Sequence, residues 1–303
     1  MKLLICDPTQ KEAIEMMRAA GIEVDVRDDI APKELEGVIG DYDAIVVRSR
    51  TKVREPLIDK GLPHLKLIIR GGVGLDNIDV KYAESKGVEV RNTPAASSNS
   101  VAELTIGYLF ALARRIPQAT ASMKAGQWEK KAFSKAMELN GKTLGLIGCG
   151  RIGTLVAQKA AALGMTVLGC DPYVCDWDTC MRGTDLDEIL SQSDFISLHV
   201  PRTEETENIL NAETLAKTKP GVCIVNCGRG GTIDEAALHD AIVSGHVAGA
   251  ALDVFADEKE ERGQRLMTLP QIIGSPHVGA GTKEAANRVG TEVAEIAIEF
   301  SKR

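Results

Sequence analysis

Apolar runs of β type alternate with helical patterns along most of this chain. In the first third the strand candidates are Leu3–Cys6, Val24–Val26, Ala44–Val47, Leu67–Ile69 and Val88–Val90. The helical stretch KEAIEMMRAA lies between the first two, and Gly21 fits its C-cap. AESKG, ending at Gly87, repeats the pattern before another strand. A second series follows: Leu144–Ile147, Thr166–Cys170, Phe195–Leu198, Val222–Asn226, Gly249–Leu252 and Gln271–Ile273, with helices over Ile152–Ala162, Leu186–Ser191 and Glu235–Ser244. Helical patterns over 99–115 and 118–124 separate the two series, and 283–302 is a last helical stretch with no strand after it. Such alternation predicts an α/β protein with two doubly wound parallel-sheet domains.

Composition narrows the partners. A chain of 303 residues suits two modest domains better than one core. Aromatics are 4%, so the cores must be built from Ile, Leu, Val and Ala. The net charge of -7 repels phosphate backbones and anionic headgroups, which argues against nucleic acid and membrane, although local arginines can still hold an anionic substrate. No apolar run approaches the roughly 20 residues of a membrane span. The apolar N-terminal stretch stops at Asp7 and Pro8, too short for a secretory signal, so a cytoplasmic location is expected. The seven cysteines are odd in number and lack C-x-x-C spacing, which disfavours a disulfide framework and a zinc ribbon. Cys170, Cys175 and Cys180, around Asp171, read as scattered reduced thiols, and no metal is expected.

Leu144–Ile147 leads into Gly148–Cys149–Gly150–Arg151–Ile152–Gly153, a G-x-G-x-x-G placed after a strand and opening a helix. Gly148 would allow the tight turn, Gly150 the close approach of a diphosphate, and Gly153 the packing of helix on sheet. The diphosphate would lie on the helix N-terminus. The next strand runs into Asp171, a carboxylate for the ribose hydroxyls that would repel a 2′-phosphate, so NAD is favoured over NADP. The loop lies near mid-chain, which places the chemistry between the two α/β units, at strand carboxyl ends.

Three chemistry-bearing side chains follow strands of the second series: Arg229, Glu258 and His277, the last within Ser275–Pro276–His277–Val278–Gly279. Arg229 offers a planar fork for a carboxylate, His277 titrates near neutrality, and Glu258 would orient and charge-stabilise it. Each alone is ordinarily a surface or structural residue; together, downstream of a dinucleotide loop, they suit hydride transfer on a small hydroxy acid. In the first series Arg70–Gly71–Gly72–Val73–Gly74 follows a strand and could form an anion nest, and Arg48–Ser49–Arg50 follows another. The basic cluster Arg48, Arg50 and Arg70 argues for a phosphorylated substrate.

These motifs resemble the D-isomer-specific 2-hydroxyacid dehydrogenases over nearly the whole chain, through VRSRTKV (47–53), RGGVGLDNIDV (70–80), NTPAASSNSVAEL (92–104), LARRIPQATASMKAGQW (112–128), ELNGKTLGLIGCGRIG (138–153), DFISLHVP (194–201), VNCGRGGTIDE (225–235), GAALDVF (249–255) and SPHVGAGTKEA (275–285). The resemblance implies Arg229, Glu258 and His277 as the catalytic triad, with His277 as acid/base. It implies NAD held by Gly148, Gly150, Arg151, Ile152, Gly153, Asp171, Pro201, Cys227, Asp253 and Gly279. It implies the acid held by Arg48, Ser49, Arg70, Val73, Gly74, Arg229 and His277. It further implies a flavodoxin-like substrate domain (1–94 and 283–303), a Rossmann-type NAD domain (95–282), a hinge at Asn92–Thr93, and a homodimer through the 99–140 region. The sequence departs from the family pattern at Gly228, where Ala, Ser or Thr is usual, at Lys259, where Pro is, and at Lys130, where Arg is. The longer members carry a C-terminal regulatory domain; the chain ends soon after its last helix, so no serine feedback through such a domain is expected. Two alternatives share the triad: a sister enzyme, a glyoxylate/hydroxypyruvate reductase or a D-lactate dehydrogenase, and an NAD-responsive corepressor scaffold, which usually has disordered flanks.

Overall fold

All paired strands among the described residues run parallel. The computed structural model describes residues 1–257 and 265–303. They divide into two compact units, Met1–Ser98 with Ala280–Arg303, and Asn99–Gly279.

The first unit holds β1 (Lys2–Ile5), β2 (Glu23–Val26), β3 (Ala44–Val47), β4 (Leu67–Arg70) and β5 (Glu89–Asn92) in the order β2-β1-β3-β4-β5. That is the flavodoxin-type order. Helices α1 (Lys11–Ala19), α2 (Pro32–Val38), α3 (Glu55–Gly61) and α4 (Val80–Ser85) connect the strands. The inner strands β1, β3 and β4 read as nearly continuous apolar runs because helices cover both faces, with AIVV of β3 buried throughout, whereas the edge strands β2 (EVDV) and β5 (EVRN) carry charged residues. One face packs Leu4, Ile45 and Ile68 against the α2–α4 side. The other packs Leu3, Ile5, Val46, Leu67 and Ile69 against Val289, Val293, Ala294 and Ala297 of the final helix, Lys283–Ser301. That helix presses close on α1: a Cβ at Gly290 would stand 3.2 Å from the Cβ of Ala13.

The second unit begins with α5 (Ser98–Arg114) and α6 (Ile116–Lys124). Its strands are β6 (Thr143–Ile147), β7 (Thr166–Cys170), β8 (Arg182–Gly183), β9 (Phe195–Leu198), β10 (Val222–Asn226), β11 (Val247–Leu252) and β12 (Ile272–Gly274), ordered β12-β11-β10-β9-β6-β7-β8. The order reverses at β6, between β7 and β9, the switch point at which open α/β sheets bind nucleotides. Helix α7 (Arg151–Ala162) crosses from β6 to β7, and α8 (Leu186–Gln192), α9 (Ala212–Ala216) and α10 (Glu235–Val243) complete the layers. The final helix, Lys283–Ser301, is α11.

Candidate active site

The glycine loop sits at the switch point, and its three glycines have three different reasons to lack a side chain. Gly148 has φ 93°, and a Cβ there would stand 2.8 Å from the carbonyl carbon of His199. Gly153, in the first turn of α7, would place a Cβ 2.2 Å from the Gly148 carbonyl oxygen, so only glycine lets helix and loop close on each other. A Cβ on Gly150 would meet nothing within 4 Å. The protein itself makes no use of the bare backbone there; the room suits an approaching ligand. Gly150 is also the N-cap of α7, and no side chain caps that end. Its amides therefore suit an anion. Asp171, at the end of β7, accepts from the Cys149 amide at 2.8 Å (Oδ2) and the Tyr173 amide at 2.9 Å (Oδ1), which sets a carboxylate beside the loop. Open room at Gly150, an uncapped helix end and a neighbouring carboxylate fit a dinucleotide.

Of the remaining cofactor candidates, Arg151 is exposed and opens α7, and Ile152 is half-buried beside it. Pro201 is exposed beyond β9, its carbonyl accepting from Thr206 Oγ1 at 2.6 Å. Cys227 is buried, and burial pushes its thiol up to about 12. His199, under the loop, pairs its Nε2 with Ser197 Oγ at 2.9 Å, while burial pushes its imidazole down to about 4.

Two turns of the second unit carry the proposed chemistry. The turn after β10 is shaped by buried Asn226. Its Nδ2 donates to the Arg229 carbonyl at 3.0 Å and to Thr232 Oγ1 at 3.1 Å, and its Oδ1 accepts from the Gly228 amide at 3.0 Å. Arg229 is half-buried and its Nη1 donates to the Gly228 carbonyl at 2.8 Å. Where the family has a small side chain, a Cβ on Gly228 would lie 3.0 Å from the Leu198 carbonyl oxygen.

The turn after β12 carries exposed His277 at φ 53°, a left-handed conformation costly for a non-glycine residue. Asp253, only 2% exposed, holds that turn. Its carbonyl accepts from the His277 amide at 2.9 Å, its Oδ1 from the Val278 amide at 2.8 Å, and its Oδ2 from the Gly279 amide at 2.7 Å. Ser275 Oγ also donates to Oδ1, so the 275–279 turn supplies three donors to the carboxylate that the resemblance assigned to the cofactor. Glu258 and Lys259 lie outside the described residues.

In the first unit, Arg48 and Arg70 come from adjacent strands, with Val47 in register with Arg70. Their side chains lie over consecutive glycines. A Cβ on Gly71 would be 3.6 Å from Arg48 Cγ, and one on Gly72, at φ 143°, would be 1.3 Å from Arg70 Nη1. Arg70 Nη1 donates to the Gly71 carbonyl at 3.2 Å. Arg50 departs from the expected cluster. Its guanidinium binds Asp7 Oδ1 at 2.8 Å and the carbonyls of Cys6 and Asp28, so it serves the framework. Asp7 is fully buried and also accepts from the Arg48 amide and from Thr51 Oγ1 at 2.9 Å. Asn77 Nδ2 ties the carbonyls of Arg48 (2.7 Å) and Thr51 (2.6 Å), and Asn92 Nδ2 ties that of Val73 (2.6 Å). Ser49 is exposed on the same loop, and Val73 and Gly74 are half-buried on theirs.

A doubly wound unit with an open glycine loop at its switch point defines a dinucleotide-binding protein. The chain belongs to the D-isomer specific 2-hydroxyacid dehydrogenases, whose NAD binding domain model matches residues 106–279. It is similar to hydroxypyruvate reductase of Thermotoga maritima, at 50% identity over 95% of this chain and 94% of that protein. It is similar to D-3-phosphoglycerate dehydrogenase of Methanocaldococcus jannaschii, at 48% identity over 97% of this chain and 56% of that protein. It thus spans little more than half the length of the phosphoglycerate dehydrogenases it matches. Among solved structures it is similar to D-lactate dehydrogenase from Aquifex aeolicus complexed with NAD and lactic acid, with a TM-score of 0.87 and 31% identity over 100% of this chain and 96% of that one. Among the described residues no group of His, Cys, Asp or Glu is arranged to hold a metal ion, and no helix is long and apolar enough to cross a membrane.

Proposed function

We propose that this enzyme oxidises 3-phospho-D-glycerate to 3-phosphohydroxypyruvate with NAD. The observation carrying the choice of substrate is the pair of arginines, Arg48 and Arg70, laid over Gly71 and Gly72: two cationic groups at one turn exceed what a single carboxylate needs. In the first unit these arginines, with Ser49 and the amides of Val73 and Gly74, hold the anionic groups. In the second unit Arg229 holds the carboxylate and polarises the adjacent C2 oxygen. The C2 hydroxyl proton passes to a ring nitrogen of His277, and Glu258 stabilises the imidazolium. NAD, held by the Gly148–Gly153 loop beside Asp171, would supply the acceptor for the hydride at C2.

A second reading rests on a specific observation: the 50% identity to hydroxypyruvate reductase extends over 94% of that protein, and Arg50 is withdrawn from the basic cluster. We also infer a cytoplasmic homodimer. Seven free cysteines suit a reducing compartment. Exposed Phe110, Ile116, Met123 and Trp128, the last 79% exposed, give the 99–140 region an apolar surface suited to a second copy.

The test is NADH oxidation with 3-phosphohydroxypyruvate, hydroxypyruvate, glyoxylate, pyruvate and oxaloacetate. A kcat/KM for the phosphorylated acid at least about tenfold above the rest is expected, a difference near 1.4 kcal/mol in transition-state binding. Equal activity on hydroxypyruvate would transfer the assignment to the second reading. His277→Asn is expected to lose most of kcat while still binding NADH; wild-type turnover would overturn its role.

A further inference from the structure

Asp253 does not hold the His277 turn alone. Ser275 Oγ donates to Asp253 Oδ1, and the Tyr108 hydroxyl, from α5, is hydrogen-bonded to Ser275 Oγ. A hydroxyl has one proton. Ser275 gives its own to the carboxylate, so Tyr108 must be the donor to Ser275. Tyr108 is 7% exposed and burial pushes its phenol up to about 12, so it keeps the proton it donates. The result is a directed chain: Tyr108 to Ser275 to Asp253, with the amides of Val278 and Gly279 converging on the same carboxylate.

The chain ends where backbone strain begins. His277 has φ 53°, and its amide is held by the carbonyls of Asp253 (2.9 Å) and Ser275 (3.0 Å). A left-handed histidine persists only where its surroundings over-determine it. Relaxation toward an ordinary φ would swing the imidazole away from where a proton must be taken, and small misplacements lower rates steeply.

We propose that Tyr108 and Ser275 are positioning residues of this dehydrogenase, fixing through Asp253 the strained turn that presents His277. The proposal rests on the assignment of proton transfer to His277. It gives Asp253 a duty toward the turn, and it brings into the reaction a helical tyrosine 167 residues away in sequence from its partner serine.

The test uses the whole enzyme and the rate of hydride transfer from NADH in a single turnover. Ser275→Ala removes a bond to a carboxylate and is expected to slow transfer about 10- to 100-fold; Tyr108→Phe removes a bond between neutral groups and is expected to slow it about 3- to 10-fold. In both, the KM values for NADH and keto acid should stay within about twofold, because a turn that aims an acid/base group acts on the reacting state. Ser275→Thr keeps the hydroxyl and should restore the rate. Tyr108→Phe should add little on top of Ser275→Ala, since the chain is already cut. Unchanged transfer rates in both single variants, with or without a lower melting temperature, would overturn the proposal. So would a raised KM for NADH at unchanged rate, which would return Asp253 to the cofactor. Should Ser275→Ala fail to fold, the Tyr108→Phe and Ser275→Thr pair decides by the same criteria. Normal turnover in His277→Asn would instead overturn the proton-transfer assignment itself, so the two failures are distinguishable.

Discussion

Alanine at Gly150 and alanine at Gly153 add the same methyl group three residues apart, and their consequences should be opposite. At Gly150 the methyl enters open space, and φ is -71°, a value alanine accepts. Two small effects oppose each other there. Alanine is a poorer N-cap than glycine, by about 0.5–1 kcal/mol, and it restricts the unfolded chain, a gain of about 0.4–1 kcal/mol. The apo protein should therefore melt within about 2 °C of wild type. The methyl would occupy room that a diphosphate needs, and losing a charge-assisted amide contact is worth about 1.5–3 kcal/mol, so NADH should bind about 10- to 100-fold more weakly. At Gly153 the methyl would stand 2.2 Å from the Gly148 carbonyl oxygen, a backbone atom that cannot turn aside. Overpacking of that kind costs about 1–3 kcal/mol and should lower the melting temperature by about 2–10 °C without cofactor. Thermal unfolding of both apo variants and a fluorescence titration with NADH separate the cases. Wild-type NADH affinity in Gly150→Ala would show that the diphosphate lies elsewhere. Early melting of that variant would refute the reading of its surroundings as open.

Two further outcomes are expected. Asp7→Asn leaves Arg50 and the 48–51 loop without the carboxylate they converge on; with Arg50 itself half-exposed, the loss should be about 2 kcal/mol by urea titration. KM for the keto acid should rise while NADH affinity stays unchanged, and an unaltered KM would detach Asp7 from the anion loops. His199 titrates near 4 when folded because of burial, against about 6.5 unfolded, so the unfolded chain takes up the proton first and stability falls as pH drops from about 7 toward 4. His199→Gln should remove about 2 kcal/mol of the loss between pH 7.5 and 5, measured by urea midpoints; an acid limb unchanged in the variant would locate the sensitivity in other groups.

The long regularities of this chain were legible and its polar fixings were not. Strands such as β3, β7 and β10 announce themselves because burial on both faces demands unbroken apolar runs. The two-residue β8 has no room for a pattern, and α2 and α3, at two turns each, end before a 3.6 repeat is established. The glycine loop carries its meaning in local spacing, so its three positions could be read directly. Asp7, Asn77, Asn226 and Tyr108 have no such signal. Each is a single polar residue, and only the fold sets Asp7 against Arg48 or Tyr108 against Ser275, 41 and 167 residues apart in sequence. Arg50 misled for the same reason: its type suggested a substrate anion, and its nearest anion is a buried carboxylate of its own chain.

The passage of the chain through its two units imposes an order in time. Residues 1–98 leave the ribosome first, but α11, which closes one face of their sheet, follows only after the 99–279 unit. At about 5–20 residues per second, those roughly 180 residues take some 10–40 s to synthesise. Throughout that interval Leu3, Ile5, Val46, Leu67 and Ile69 await the side chains that will cover them. The unit begun first is finished last, and the nascent protein depends on keeping that waiting surface from finding another nascent copy before α11 arrives.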